Sequence, residues 1–323
     1  MVAIEYRTLG RSGLVVSTIG LGCNNFGRAE TATESQAGTD AVIHAAIDTG
    51  VTLFDTADIY GAERGLSETL MGNALKGRRG DIVLATKFGM DMAGKNGPDW
   101  DARGSRRYVR LAVEASLRRL QTDWIDLYQL HRPDENTPIE ETLAVLDDLI
   151  TEGKVRYIGH SNLNGWQIAD AEYKAILGGH PKFISAQNEY SLLARSVEAE
   201  VLPSVNAYGL GFLPFFPLYN GLFTGKFSRS GGPSDSRIMS QRKHLLDGAP
   251  WDTIEKYEAF CAERGVSMLA ATFAWLLAQP GLTSVIAGAT KSEQIVQNAT
   301  AATEWTPSAA EVAEISELFT DPS

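Results

Sequence analysis

Cysteine is scarce in this 323-residue chain: Cys23 and Cys261 stand far apart, so there is neither a disulfide framework nor a CxxC metal or redox motif. Histidine is nearly as scarce. The five present form no HxH or HExxH, which removes the ligand set of a metal hydrolase, and no metal site is expected. Positive charge is also in deficit. With 29 Lys and Arg against 40 Asp and Glu, the net charge is −11, the wrong sign for a protein that neutralises a phosphate backbone. No apolar run approaches the ~20 residues needed to span a bilayer, and Met1–Gly13 carries Glu5, Arg7 and Arg11 where an export signal needs an apolar stretch. The expectation is a cytoplasmic protein with no nucleic-acid partner and no membrane. One last absence concerns nucleotides: Gly20-Leu21-Gly22-Cys23-Asn24-Asn25 puts Asn25 where a G-x-G-x-x-G turn needs its third glycine. Any dinucleotide must be held in another way.

The length alone allows two domains or one large α/β barrel. Eight short β-prone runs are present: Ser17–Leu21, Val51–Phe54, Ile82–Ala85, Trp124–Leu130, Val155–Ile158, Phe183–Ala186, Gly211–Phe216 and Thr283–Ala287. Between them lie segments with helix-spaced apolar residues, such as Val109, Val113, Leu117 and Leu120, or Ile139, Leu143, Leu146 and Ile150. Thr137, Pro138 and Glu140 read as a capping box for the latter helix, with Gly153 as its left-handed stop. Eight strands alternating with helices predict a closed parallel (β/α)8 TIM barrel, a single domain over residues 1–323. Tyr6–Leu9 and Leu14–Val16 predict an N-terminal β-hairpin over the bottom of the barrel, and Pro307–Phe319 an extra C-terminal helix. Two strand-to-helix connections are long, Phe88–Gly104 and Pro217–Pro250. Both are Gly-rich and both rise from the rim where barrels keep their sites, and Ser228–Ser236 (SRSGGPSDS) has the composition of a flexible lid.

Four groups close strands on that rim: Asp55, Lys87 and His131 at strand ends, and Tyr60 five residues beyond Asp55. Singly, such residues read as a helix cap, a paired lysine, a packing tyrosine and a structural histidine. Strands about 4.8 Å apart bring them together. Lys and Asp can be buried as an ion pair, and a lysine beside a tyrosine stabilises its phenolate and is expected to lower its pKa from ~10. Such a tyrosine can protonate a carbonyl oxygen as hydride reaches the carbon, and a histidine can orient that oxygen. A Schiff-base aldolase using Lys87 is the competing chemistry.

The stretches FDTADIYG (54–61), ATKF (85–88), DWIDLYQLHRPD (123–134), GKVRYIGHSN (153–162), AQNEYSLL (186–193) and GLFTGKF (221–227) resemble the aldo-keto reductase superfamily along nearly the whole chain. HRPD and QNEYSLL are most similar to the branch that holds potassium-channel β-subunits and their bacterial relatives. The resemblance implies an enzyme reducing a small carbonyl substrate with NADPH, NAD being less favoured. Tyr60 would be the proton donor, Asp55 and Lys87 its tuning pair, and His131 the orienting residue. It also implies a nicotinamide cofactor lying across the rim. Ser161, Asn162 and Gln187 would meet its nicotinamide carboxamide, with Phe215 stacked on the ring, and Gly22, Asn24 and Asp55 would also bind the cofactor. Pro217, Leu218, Gly221, Lys226 and Arg237 would meet the phosphates, and Gly288, Thr290, Lys291, Gln294, Gln297 and Asn298 the adenosine. Phe215-Phe216-Pro217-Leu218 lacks the serine usual in that position, so backbone N–H groups at 218–221 are expected to compensate. Gln297 replaces the usual Glu. Thr290–Glu293 reads as a capped helix start suited to a phosphate. His160 is expected to be a packed structural histidine. Trp100, Tyr219 and Phe223 are candidate substrate-wall residues. The implied assembly is a monomer or homo-oligomer, and the alternative role is a nicotinamide-binding regulatory subunit with slow chemistry.

Overall fold

A computed structural model describes residues 4–234 and 236–320, with the side chains at 237 and 240 outside the described set. The chain opens with an antiparallel pair, β1 (Tyr6–Thr8) and β2 (Val15–Ser17), as the sequence predicts. Eight parallel strands follow: β3 (Ile19–Gly22), β4 (Leu53–Asp55), β5 (Val83–Phe88), β6 (Ile125–Leu130), β7 (Val155–Ser161), β8 (Ser185–Gln187), β9 (Gly211–Phe212) and β10 (Val285–Gly288). They pair in the order β10-β3-β4-β5-β6-β7-β8-β9. The ring closes where Thr283 N–H donates to Phe212 O at 3.0 Å and Ile286 N–H to Pro214 O at 3.1 Å.

The helices alternate with the strands: α1 (Gln36–Thr49), α2 (Leu66–Ala74), α3 (Arg106–Leu120), α4 (Ile139–Thr151), α5 (Gly165–Gly178) and α6 (Val201–Tyr208) precede the long connection after β9, and α7 (Arg237–Gln241) and α8 (Lys243–Asp247) lie within it. Then come α9 (Trp251–Glu263), α10 (Met268–Leu277), α11 (Ser292–Glu304) and the extra α12 (Ala309–Leu318). Side-chain oxygens start several of them, because the first N–H groups of a helix have no internal acceptor. Ser35 caps α1, Ser105 caps α3, Asn164 and Gln167 cap α5 reciprocally, and Ser308 with Glu311 caps α12. The capping box expected at Thr137 does not form. Its hydroxyl donates to Asp134 at 2.8 Å, and α4 starts behind Pro138 with no side-chain cap. Gly153 does take the left-handed conformation, φ 76°. Among the described residues no single helix is long and apolar enough to cross a membrane.

The hairpin plugs the bottom of the barrel. Leu9 and Val16, both fully buried, pack against the inward-facing Leu53, Ala85, Leu127, Leu213 and Ile286. Each such side chain contributes about 1.5–3 kcal/mol of burial. Gly10 makes the turn possible: its φ is 58°, and a Cβ there would stand 2.6 Å from Gly211 N and Ile184 O. With one end filled, the open end is the rim at the strands' C-termini.

Both long connections are better built than their composition suggests. Within residues 217–250 lie a 3-10 segment (Tyr219–Thr224), α7 and α8. The linker-like stretch bends back on itself between Ser228 and Gly231, and Arg229 ties it to Asp252 and Glu255 on α9. The 89–105 connection is held by Asn96, which donates to Asp58 at 2.9 Å and accepts from Arg119 at 3.0 Å.

Candidate active site

Strand-end geometry assembles the core of the site. Asp55 closes β4 and Lys87 lies on neighbouring β5. Lys87 is fully buried and Asp55 nearly so, and the Nζ donates to Asp55 Oδ1 at 2.8 Å, Oδ2 at 2.7 Å and Thr56 O at 2.9 Å. Asp55 Oδ1 also accepts from Gln187 Nε2 at 2.9 Å and Gln129 Nε2 at 3.2 Å. So many donors around one carboxylate offset what burying an ion costs. Tyr60 sits above this pair, with Nζ 5.2 Å from its ring centre. Its loop is tied down by Tyr60 N–H to Ala57 O at 3.1 Å and Ser67 N–H to Tyr60 O at 3.1 Å. Gly61 follows at φ 112°, a conformation that L side chains rarely adopt.

The electrostatics differ in one respect from the sequence expectation. Burial raises the Tyr60 pKa more than Lys87 lowers it, and Asp55 adds to the rise, so the phenol holds its proton above the ordinary tyrosine value. Lys87 feels the converse: burial works against its charge, but Asp55 and then Tyr60 outweigh it and the net shift is upward. His131 is pushed well below 6.5 by burial, then by Lys87 and Arg132, and stands neutral at physiological pH. Its ring meets that of Tyr60 edge-on, with centroids 5.8 Å apart, and the His131 backbone N–H is anchored to Phe88 O at 2.8 Å.

These groups form the floor of a cavity of about 820 Å³, within the size range of cofactor clefts. Lys87 lies beneath it and does not line it, whereas Tyr60, Asp55 and His131 do. Every described cofactor candidate reaches the same space: Gly22, Asn24, Ser161, Asn162, Gln187, Phe215, Pro217, Leu218, Gly221, Lys226, Gly288, Thr290, Lys291, Gln294, Gln297 and Asn298. The side chain of Arg237 lies outside the described residues.

The polar lining fits a nicotinamide at the β7–β8 end. Ser161 Oγ donates to Gln187 O at 2.7 Å, and Asn162 Nδ2, held at φ 61°, donates to His131 O at 3.0 Å and Ser161 Oγ at 2.9 Å. The amide oxygens of Asn162 and Gln187 are left as acceptors for a carboxamide N–H. Half-buried Phe215 offers its ring as wall. Gly22 and Gly288 keep the cradle open, since a Cβ at Gly288 would stand 2.9 Å from Asn25 Nδ2.

Some expectations are corrected. The N–H groups of Tyr219 and Gly221 are used within their own turn, donating to Phe216 O and Leu218 O at 2.9 Å, so residues 218–221 offer fewer amides to a phosphate than expected. The cap of α11 is Gln294, whose Oε1 accepts from Thr290 N at 2.7 Å and Lys291 N at 3.2 Å, in place of Glu293. Trp100, Tyr219 and Phe223 do not line the cavity: Trp100 is exposed under the Arg107 guanidinium, Tyr219 borders a separate small pocket, and Phe223 is core. Phe216 is half-buried cavity wall, with φ 53° and Arg242 5.6 Å above its ring. His160 is fully buried beside Phe183, and burial holds its pKa down to about 3.

Three contributors escape sequence reasoning. Gln129 shares Asp55; two residues after the inward-facing Leu127 on β6, it faces the same side, and period-two alternation is the signal for it. Arg28 lines the cavity from the β3–α1 loop, and Arg242, on the 217–250 connection, stands behind the wall and donates to the lining residue Asn220 at 2.9 Å. Burial, then Arg242, lowers the Arg28 pKa. Loop cations carry no periodic signal.

The aldo/keto reductase family model matches residues 18–319. An uncharacterized oxidoreductase of Bacillus subtilis, YrpG, is 38% identical over 300 residues, covering 90% of this chain and 89% of the relative. A probable voltage-gated potassium channel subunit beta of Oryza sativa subsp. japonica is 36% identical, covering 91% and 90%. The L-glyceraldehyde 3-phosphate reductase of Escherichia coli K12 is 33% identical, covering 98% and 93%.

Proposed function

The chain belongs to the aldo/keto reductase family, an oxidoreductase lineage acting on carbonyl substrates, and from that premise we propose that it reduces an aldehyde or ketone to the alcohol with NADPH, Tyr60 supplying the proton. One observation supports this most. A fully buried ammonium, held by both oxygens of Asp55, lies against the ring of the one phenol on the cavity floor that also meets a neutral histidine. Bound NADPH supplies the hydride. Tyr60 gives its phenolic proton to the carbonyl oxygen as that oxygen gains charge, and the Lys87 ammonium stabilises the phenolate left behind. Neutral His131, in the tautomer protonated on Nε2, donates a hydrogen bond that orients the carbonyl.

Asn162 and Gln187 would hold the carboxamide, Ser161 would fix both, and Phe215 would cover the ring. Lys226 and Lys291 line the phosphate and adenosine end, and Arg28 adds a third cation there. This supports NADPH over NADH on an acidic protein, because local cations and a helix N-terminus attract phosphate whatever the net charge.

A second reading is a nicotinamide-binding regulatory subunit with slow chemistry; the Oryza sativa relative, named a probable potassium channel subunit, supports the subunit part of it. Difference titration with NADPH and NADH, followed by steady-state turnover on a panel of aldehydes including phosphorylated and neutral ones, separates the readings. The enzyme reading expects tighter NADPH binding and multiple turnovers. A single slow turnover would favour the regulatory subunit, and binding of neither cofactor would overturn both.

A further inference from the structure

Half of the exposed large apolar side chains among the described residues belong to one helix. On α5, Trp166 is 63% exposed, Tyr173 59%, Ile176 53% and Leu177 86%; the remaining four are Tyr6 and Val15 on the hairpin, Trp100 and Val296. At 100° per residue, Trp166, Tyr173 and Leu177 fall within about 40° of one line along the helix, with Ile176 on one flank. The inward face of the same helix is already satisfied, since Ile168, Ala171 and Ala175 are buried against the barrel. With aromatic side chains of 150–250 Å² each, the four expose roughly 600 Å², most of the ~800 Å² that each partner contributes to a standard interface. Exposed apolar area of this size on one helix is at the upper limit of patches on a monomer.

We propose that this stripe is the contact between two copies of the chain, α5 packing antiparallel on α5 about a twofold axis. The occupant follows from self-complementarity, which an isologous contact requires. Antiparallel pairing centred on residue 172 sets Asp170 of each copy opposite Lys174 of the other, on the flank away from Ile176. Within one chain Lys174 already reaches Asp170 at 3.6 Å and Glu140 at 2.7 Å, so its ammonium lies on that flank. The two Tyr173 rings meet close to the axis, and the Trp166 end of one helix meets the Leu177 end of the other. A parallel arrangement would instead set like charges side by side. The helix suits the role because both ends are fixed, by the Asn164–Gln167 box and by Gly179 at φ 68°.

Sedimentation velocity over a hundredfold range of protein concentration tests this. The wild type is expected to sediment as a dimer of the 35.0 kDa chain, and Leu177→Lys and Tyr173→Glu as monomers with unchanged circular dichroism and unchanged carbonyl turnover. Asp170→Lys should weaken association at least tenfold, and Asp170→Lys combined with Lys174→Asp should restore it. A wild type that remains monomeric at every concentration, or a dimer that survives both stripe variants, would overturn the proposal. Monomers that co-sediment with neutral lipid vesicles through Leu177 would assign the stripe to a lipid surface instead.

Discussion

Burial decides the protonation states around Tyr60. The phenol keeps its proton beyond the ordinary tyrosine range, Lys87 keeps its charge, and His131 stays neutral, so no member of the trio changes state near neutrality. Carbonyl reduction is therefore expected to have a flat kcat between about pH 7 and 9; a bell centred near pH 7 in the pH–rate profile would contradict this assignment. Lys87→Met leaves Asp55 buried without its cation. It should lower stability by about 3–5 kcal/mol in urea unfolding, and adding Asp55→Asn should recover much of that. His160 gives a second pH effect. Both ring nitrogens lack a partner among the described residues, and the folded pKa of about 3 lies below the unfolded value. The unfolded chain thus binds the proton first, and stability falls as pH drops from about 6.5 toward 3. His160→Leu should reduce that acid loss by a few kcal/mol, read as the pH dependence of the unfolding midpoint.

Among the elements, what repeats was legible and what depends on a particular contact was not. The eight strands follow from short β-prone runs alternating with helix-spaced apolar segments, and the hairpin from Gly10–Gly13 between two such runs. The Thr137 box failed because Asp134, three residues upstream, captured the hydroxyl, a competition that spacing alone does not reveal. The lid was legible as long and Gly-rich, but not its short helices, which have too few residues to show a period. Behind the site lies a buried network with little sequence signature. Arg119 on α3 donates to Glu68 on α2 at 2.7 Å, Thr86 donates to the same carboxylate at 2.6 Å, and Asn96 joins Arg119 to Asp58. Burial, then Glu68, pushes the Asp58 pKa well up. Asp58 N–H donates to Lys87 O at 3.2 Å, so this network braces the loop that carries Tyr60. Arg119→Met, which leaves the buried Glu68 without its cation, should cost about 3–5 kcal/mol by urea denaturation and should also lower kcat. A shift below 1 kcal/mol would mean that the network contributes little.

At the scale of the whole molecule, the barrel separates stability from chemistry. Its lower end is closed by an apolar plug, and its upper end opens into a cleft walled by the β3–α1 loop, the 217–250 connection and the β10–α11 turn. The net charge of −11 belongs to the surface, while the cleft gathers Arg28, Lys226 and Lys291. A ligand bridging the lid and the β3–α1 loop should stabilise the fold by mass action, by about 2.7 kcal/mol at a hundred times its Kd. NADPH is accordingly expected to raise the melting temperature in a concentration-dependent way and to slow proteolysis within residues 228–236; no shift would contradict the cofactor assignment. The central claim is that Tyr60 is the proton donor, and the most direct measurement is turnover and NADPH affinity of Tyr60→Phe side by side. The expected result is carbonyl reduction lowered by at least about 10²-fold with the NADPH Kd changed less than threefold. Turnover equal to wild type in that variant would contradict the account.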